Sequence, residues 1–205
     1  MIITGLQAAK DKTGKIKVFI DGEYCFALNL EEMEQYMLYE GQDIDEELYR
    51  HILDETVFPK ARDKALAILS RSDKTEYELR NKLKQDGFTD DIIVRVMDYL
   101  KSYGYINDER YAQAYIYANK QKKSKLAIKT WLMQKGIASE LADSLIDREY
   151  RDDTSEGSDY ELEAIKRALA KKVSSLESLD DKQKQKLIAS LYRKGFELAK
   201  IKRVI

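Results

Sequence analysis

The chain holds one cysteine, one histidine and one proline among its 205 residues, with only nine glycines. Each shortage excludes something. A lone thiol, Cys25, forms no internal disulfide. With His51 as the sole imidazole, His/Cys metal clusters and Cys–His nucleophilic machinery are set aside as well. Cys25 therefore reads as a small apolar strand residue, and His51 as a boundary residue on an acidic helix. No glycine-rich run precedes a Lys-Ser/Thr pair, so there is no phosphate loop. The carboxylate pairs Asp90-Asp91 and Asp152-Asp153 fall in helix-start and linker contexts. No apolar run has the length of a signal peptide or a membrane span. The expectation is a cytoplasmic protein that is not an enzyme, takes no cofactor or metal and stays off the membrane.

The proline shortage carries a positive message. Proline breaks helix interiors, and Leu, Lys, Glu and Ala, abundant in the second half, favour them. Apolar residues make up 43% of the chain, enough for a core, and 36% are charged. The formal net charge is −1, which hides an asymmetry. Residues 1–59 carry 5 Lys/Arg against 13 Asp/Glu, whereas residues 60–135 carry 17 against 10. A basic middle beside an acidic head fits a middle that meets an anionic surface; solvated lysine-rich helix faces give the same balance.

The head differs from the rest of the chain. Ile16–Ile20 and Glu23–Leu28 are β-rich runs joined by Asp21-Gly22, a two-residue hairpin signal, and Ile2 to Leu6 offers a third strand. Asn29 is placed to cap a short acidic helix, a further helix starts near Asp45, and Pro59 marks a boundary. From Lys60 onward the chain repeats itself. Leu79, Leu83, Gly87 and Phe88 recur as Ile128, Leu132, Gly136 and Ile137, and again as Leu187, Leu191, Gly195 and Phe196. Apolar residues eight and four positions before the glycine share one helical face. The glycine suits C′, where the backbone turns left-handed, and the apolar residue after it suits C″, folding back on the leucine at C3. A further helix precedes each pair, with Asp73 and Ser124 as candidate caps for the first two glycine-ended helices and Thr89 for the helix after Gly87.

The sum is a mainly α protein. Three tandem three-helix repeats form an elongated curved array, preceded by a small β-hairpin plus α element. The expected divisions are 1–58 for the extension, 59–106 and 107–150 for the first two repeats, and 151–205 for a polar linker and the third.

The stretch Leu100-Lys-Ser-Tyr-Gly104-Tyr105-Ile106-Asn107-Asp108-Glu109-Arg110-Tyr111-Ala112 resembles the signature of the bacterial RecX family. Glu78, Leu79, Lys82 and Leu83 before Gly87 resemble that family's first repeat, and Lys125–Gly136 and Leu187–Gly195 its second and third. Asn107 stands where aspartate is commoner, a change that keeps a helix cap. The likeness spans residues 15–205. It implies a monomeric regulatory protein that binds the recombinase RecA and its single-stranded DNA filament, suppresses RecA's ATPase and recombinase activities, and acts in DNA repair and the damage (SOS) response.

The candidate contact residues are basic. Lys120, Lys122, Lys123, Lys125 and Lys129 crowd a helix–helix joint of the second repeat. Arg80, Lys82 and Lys84 form a second group on the first repeat, and Arg110 stands in the signature. Such groups bind phosphates without reading bases, so weak direct DNA binding is a further expectation. Trp131, between core positions Ile128 and Leu132, reads as core, and the tyrosines around residues 99–117 as packing between repeats. Two other readings stay open on the residues alone: a sequence-nonspecific DNA-binding helical module and a helical-repeat scaffold.

Overall fold

The computed structural model describes residues 1–9, 14–151, 159–173, 176 and 179–205. The polar linker 152–158 lies outside the described residues. Two compact units divide the chain, Met1–Ile106 and Asn107–Ile205.

The first unit opens with an antiparallel meander in the order β1 (Ile3–Ala8), β2 (Ile16–Ile20), β3 (Glu23–Leu28). At the β2–β3 turn Asp21 and Gly22 have φ of 50° and 89°, as a type I′ hairpin requires. Ile3, Val18, Phe26 and Leu28 are buried from this sheet. Asn29 caps α1 (Leu30–Gln35) in a reciprocal box with Glu32, and Asp45 caps α2 (Glu46–Ile52).

Pro59 does not end a helix. A π-helical turn, Leu53–Val57, joins α2 directly to α3 (Phe58–Leu69), and Pro59 sits in the first turn of α3. The Phe58 amide donates five residues back to the Leu53 carbonyl. This wider turn relieves the clash that a proline ring makes with the preceding turn of an α-helix. The extension and the first repeat accordingly share one core, running from Ile3 through Ala61, Leu79 and Val96 to Ile106.

The first repeat continues with α4 (Glu76–Gln85) and α5 (Asp90–Ser102). Two cap expectations are corrected here. Thr75, not Asp73, caps α4, because Glu78 three residues on returns the bond and completes a capping box. Thr89 holds the N-cap position of α5 without a side-chain cap bond.

The second unit contains α6 (Asp108–Asn119), α7 (Lys125–Gln134) and α8 (Ser139–Arg151), then α9 (Tyr160–Ala170), α10 (Asp181–Arg193) and α11 (Leu198–Val204). Ile116, Ile128, Leu132 and Leu145 centre the core of α6–α8; Ile165, Leu191, Phe196 and Ile201 centre that of α9–α11.

The repeated glycines close their helices as their flanks predict. Gly87, Gly136 and Gly195 have φ of 87°, 83° and 84°. The amide after each donates to the leucine carbonyl at C3: Phe88 to Leu83 at 3.1 Å, Ile137 to Leu132 at 3.0 Å, and Phe196 to Leu191 at 3.3 Å. Gly104 repeats the closure, with Tyr105 donating to Leu100 at 2.8 Å. These are Schellman closures, each satisfying carbonyls that the helix end orphans.

Candidate partner-binding surface

The joint between α6 and α7 is built by backbone bonds. The amides of Lys122 and Lys123 both donate to the Asn119 carbonyl, at 2.8 and 3.0 Å, folding residues 120–123 into a tight turn. Ser124 then caps α7 by accepting from the Ala127 amide. This turn projects the lysines, but it does not present them alike.

Lys120 is corrected from surface cation to interior strut. It is 6% exposed, with Nζ 3.4 Å from Glu149 Oε2 and over the Tyr160 and Tyr117 rings at 4.4 and 5.0 Å. It ties the second repeat to the start of α9. Beside it, burial and the negative charges of Glu161 and Asp159 push the Tyr150 phenol far up. Tyr150 thus stays protonated and donates to the Lys120 carbonyl at 3.3 Å. Lys129 is also neutralised, by Asp143 at 2.6 Å.

Lys122, Lys123 and Lys125 differ. Lys122 donates to the Ala118 carbonyl at 3.0 Å, Lys123 to the Tyr115 hydroxyl, and Lys125 lies over the Tyr150 ring at 4.6 Å. Each partner is electrically neutral. Among the described residues none of the three has a carboxylate partner, so the joint keeps its positive charge.

The first-unit group is largely spent internally. Arg80 pairs with Glu76 at 2.8 Å, Glu76 also takes Lys101 at 2.6 Å, and Lys84 pairs with Asp90 at 3.1 Å. Burial alone would raise the Glu76 carboxyl, but Lys101 and Arg80 outweigh it and hold its pKa below the usual range. Lys82 and Arg110 are exposed, and the Arg110 amide donates to the capping Asn107 at 2.8 Å.

Sequence reasoning missed a second cation pair. Arg193 and Lys194, exposed at the end of α10, face the Lys122–Lys123 turn across a cavity of ≈ 560 Å³. Their position directly before the third repeated glycine was the available signal. The cavity runs between α7 and the third repeat, and Trp131 lines it. Trp131 is half-buried rather than core, stacked on Tyr115 with ring centroids 3.6 Å apart. The tyrosines divide: Tyr99 and Tyr115 pack against the cores as expected, whereas Tyr103, Tyr105 and Tyr117 are 67%, 50% and 71% exposed.

The seam beside the cavity is tight. The Ser124 hydroxyl donates to the Lys194 carbonyl at 2.6 Å. A Cβ on Gly195 would stand 2.9 Å from Leu126 Cβ. Further along, Lys200 Nζ lies 3.1 Å from Asp159 and 3.0 Å from the buried Glu161.

Family models for the first, second and third RecX three-helix domains match residues 61–100, 107–145 and 159–205. The chain belongs to the RecX family. It is 32% identical over 206 residues to the regulatory protein RecX of Clostridium acetobutylicum, covering 99% of this chain and 94% of that one. With the regulatory protein RecX of Clostridioides difficile it shares 34% over 208 residues, covering 100% and 94%. A crystal structure of regulatory protein RecX has the same fold, with a TM-score of 0.61, 22% identity and 99% and 98% coverage. That of RecX from Lactobacillus salivarius scores 0.58 at 25% identity, covering 72% of this chain and 93% of the other. RecX is thus a regulatory family whose repeats are those seen here. Among the described residues no helix is long and apolar enough to cross a membrane.

Proposed function

We propose that this chain is a cytoplasmic, monomeric regulator that binds RecA and its single-stranded DNA filament and lowers RecA's ATPase and recombinase activities, restraining DNA repair and the damage response. It works by occupying the filament, not by chemistry of its own. Family membership supports RecA as the partner. The observation that carries the contact is the uncompensated charge of Lys122, Lys123 and Lys125, whose neighbours are a carbonyl, a hydroxyl and a ring.

Such charge speeds encounter with an anionic partner and sets orientation more than it supplies raw affinity. A RecA–DNA filament offers acidic protein surface and phosphates together. The competing reading is a DNA-binding module that needs phosphates only. Co-sedimentation with RecA–DNA filaments and with bare single-stranded DNA, over a salt series, separates them. The expected result is retention on filaments at salt that releases the chain from bare DNA. Equal retention on both, falling steeply with salt, would make it a phosphate binder.

A further inference from the structure

The cavity beside α7 combines two chemistries. Its floor is apolar, formed by Leu126, Trp131, Ala168 and Phe196. Its lips are cationic, with Lys122 and Lys123 on one side and Arg193 and Lys194 on the other, and among the described residues no acidic one lines it. The volume of ≈ 560 Å³ falls within the range of sites that enclose a ligand group. The walls are set in place by the Ser124–Lys194 bond and the close approach at Gly195, so an occupant meets a formed groove.

Resting on the reading of the chain as a protein-binding regulator, we propose that this groove receives an acidic segment of the partner protein, one that seats a large apolar side chain on the floor while its flanking carboxylates meet the four cations. Charge complementarity sets the sign of the segment, and the apolar floor demands an anchor that a phosphate backbone does not have. A nucleobase could supply an apolar face, but the indole already has a stacking partner and a cation against it. Tyr115 lies against Trp131 at 3.6 Å, and the Lys135 ammonium stands over the same ring system, 5.2 Å from its centroid. What Trp131 adds to the floor is apolar surface, suited to an aliphatic or aromatic side chain.

The test is fluorescence anisotropy of the full chain with three labelled probes. One is a short Asp/Glu-rich peptide with a central Leu-Phe pair. The second has alanines at that pair, and the third is an oligothymidine of matching charge. The first probe is expected to bind about tenfold tighter than the second, and tighter than the oligonucleotide at the same salt. Ala168→Trp fills the floor, and the double variant Arg193→Glu/Lys194→Glu reverses one lip; each should weaken the first probe by about tenfold. The lip variant alters exposed side chains only, so it decides the matter if the floor variant fails to fold. Equal binding of the two peptides, preference for oligothymidine, or undiminished binding by the lip variant overturns the proposal. Loss of wild-type retention on RecA–DNA filaments is a separate outcome, and it would overturn the functional reading instead.

Discussion

The Ser124 hydroxyl serves two helices at once: it accepts from the Ala127 amide to cap α7 and donates to the Lys194 carbonyl, 2.6 Å away, at the end of α10. One side chain thereby joins a helix start in the second repeat to a helix end in the third. Gly195 comes immediately after Lys194, with φ of 84° and no room for a Cβ.

Ser124→Ala should cost about 1–2 kcal/mol, since it removes a cap and leaves a partly buried carbonyl without its donor. Gly195→Ala should cost more than Gly104→Ala. Both glycines have positive φ, but a Cβ on Gly104 meets open space. The second change pays left-handed strain alone, about 1 kcal/mol, while the first adds overlap with Leu126. Urea denaturation of the full chain measures all three, and equal costs at the two glycines would contradict the seam.

Lys120 and Lys122 sit two residues apart and should behave oppositely. Lys120→Ala strips the partly buried Glu149 of its cation and opens a void between two tyrosine rings, a loss of about 2 kcal/mol. Lys122→Ala, on an exposed side chain, should stay within about 0.5 kcal/mol. Thermal unfolding followed by circular dichroism distinguishes them.

The Asp159–Lys200 pair gives a pH dependence with a definite sign. Burial works against the Asp159 carboxylate, but hydrogen bonds from Lys200 and from the Leu162 and Glu161 amides win and hold its pKa below the usual value. A depressed folded pKa contributes stability above the unfolded value, about 3.9 for aspartate, and loses it as pH falls through the folded value. Lys200 is opposite: burial opposes its charge, but Glu161 and Asp159 outweigh burial and raise its pKa. Its contribution is complete below about pH 10.4 and fades as pH rises through the folded value. Asp159→Asn keeps a capping side chain and removes the charge. It should flatten the acid limb of a stability–pH curve below about pH 4; an unchanged limb would show that the pair is not responsible.

The local features were legible because they are local. A glycine with leucine four residues before it and an apolar residue just after it predicts its own backbone geometry, and all three repeats have it. Ser124, Asn107, Asn29 and Asp45 cap where their side-chain chemistry places them. What the chain hides is which neighbours meet across long separations. Lys120 looks like its neighbours in sequence, yet Tyr160 and Glu149, 40 and 29 residues on, enclose it. Arg193 and Lys194 join the lysine turn only because the third repeat folds beside α7. The unbroken passage from α2 into α3 at Pro59 was missed since a π turn leaves no compositional mark.

Charge reversal at the two basic groups should separate them. Lys122→Glu/Lys123→Glu/Lys125→Glu replaces cations that have neutral partners. Arg80→Glu/Lys82→Glu/Lys84→Glu disturbs a group in which Arg80 and Lys84 are already balanced by Glu76 and Asp90. The first variant should slow association with RecA–DNA filaments by about tenfold or more and the second by less, at one salt concentration and with unchanged helicity. Equal slowing would reduce the central group to a solvated face.

The most direct test is RecA's ATPase on single-stranded DNA with the full chain titrated in, wild type beside the Lys122/Lys123/Lys125 reversal. Steady-state turnover should fall as the wild type approaches RecA's concentration. The reversal variant should need about tenfold more protein for the same inhibition. Turnover that stays level across the wild-type titration would contradict the account, whatever the fold.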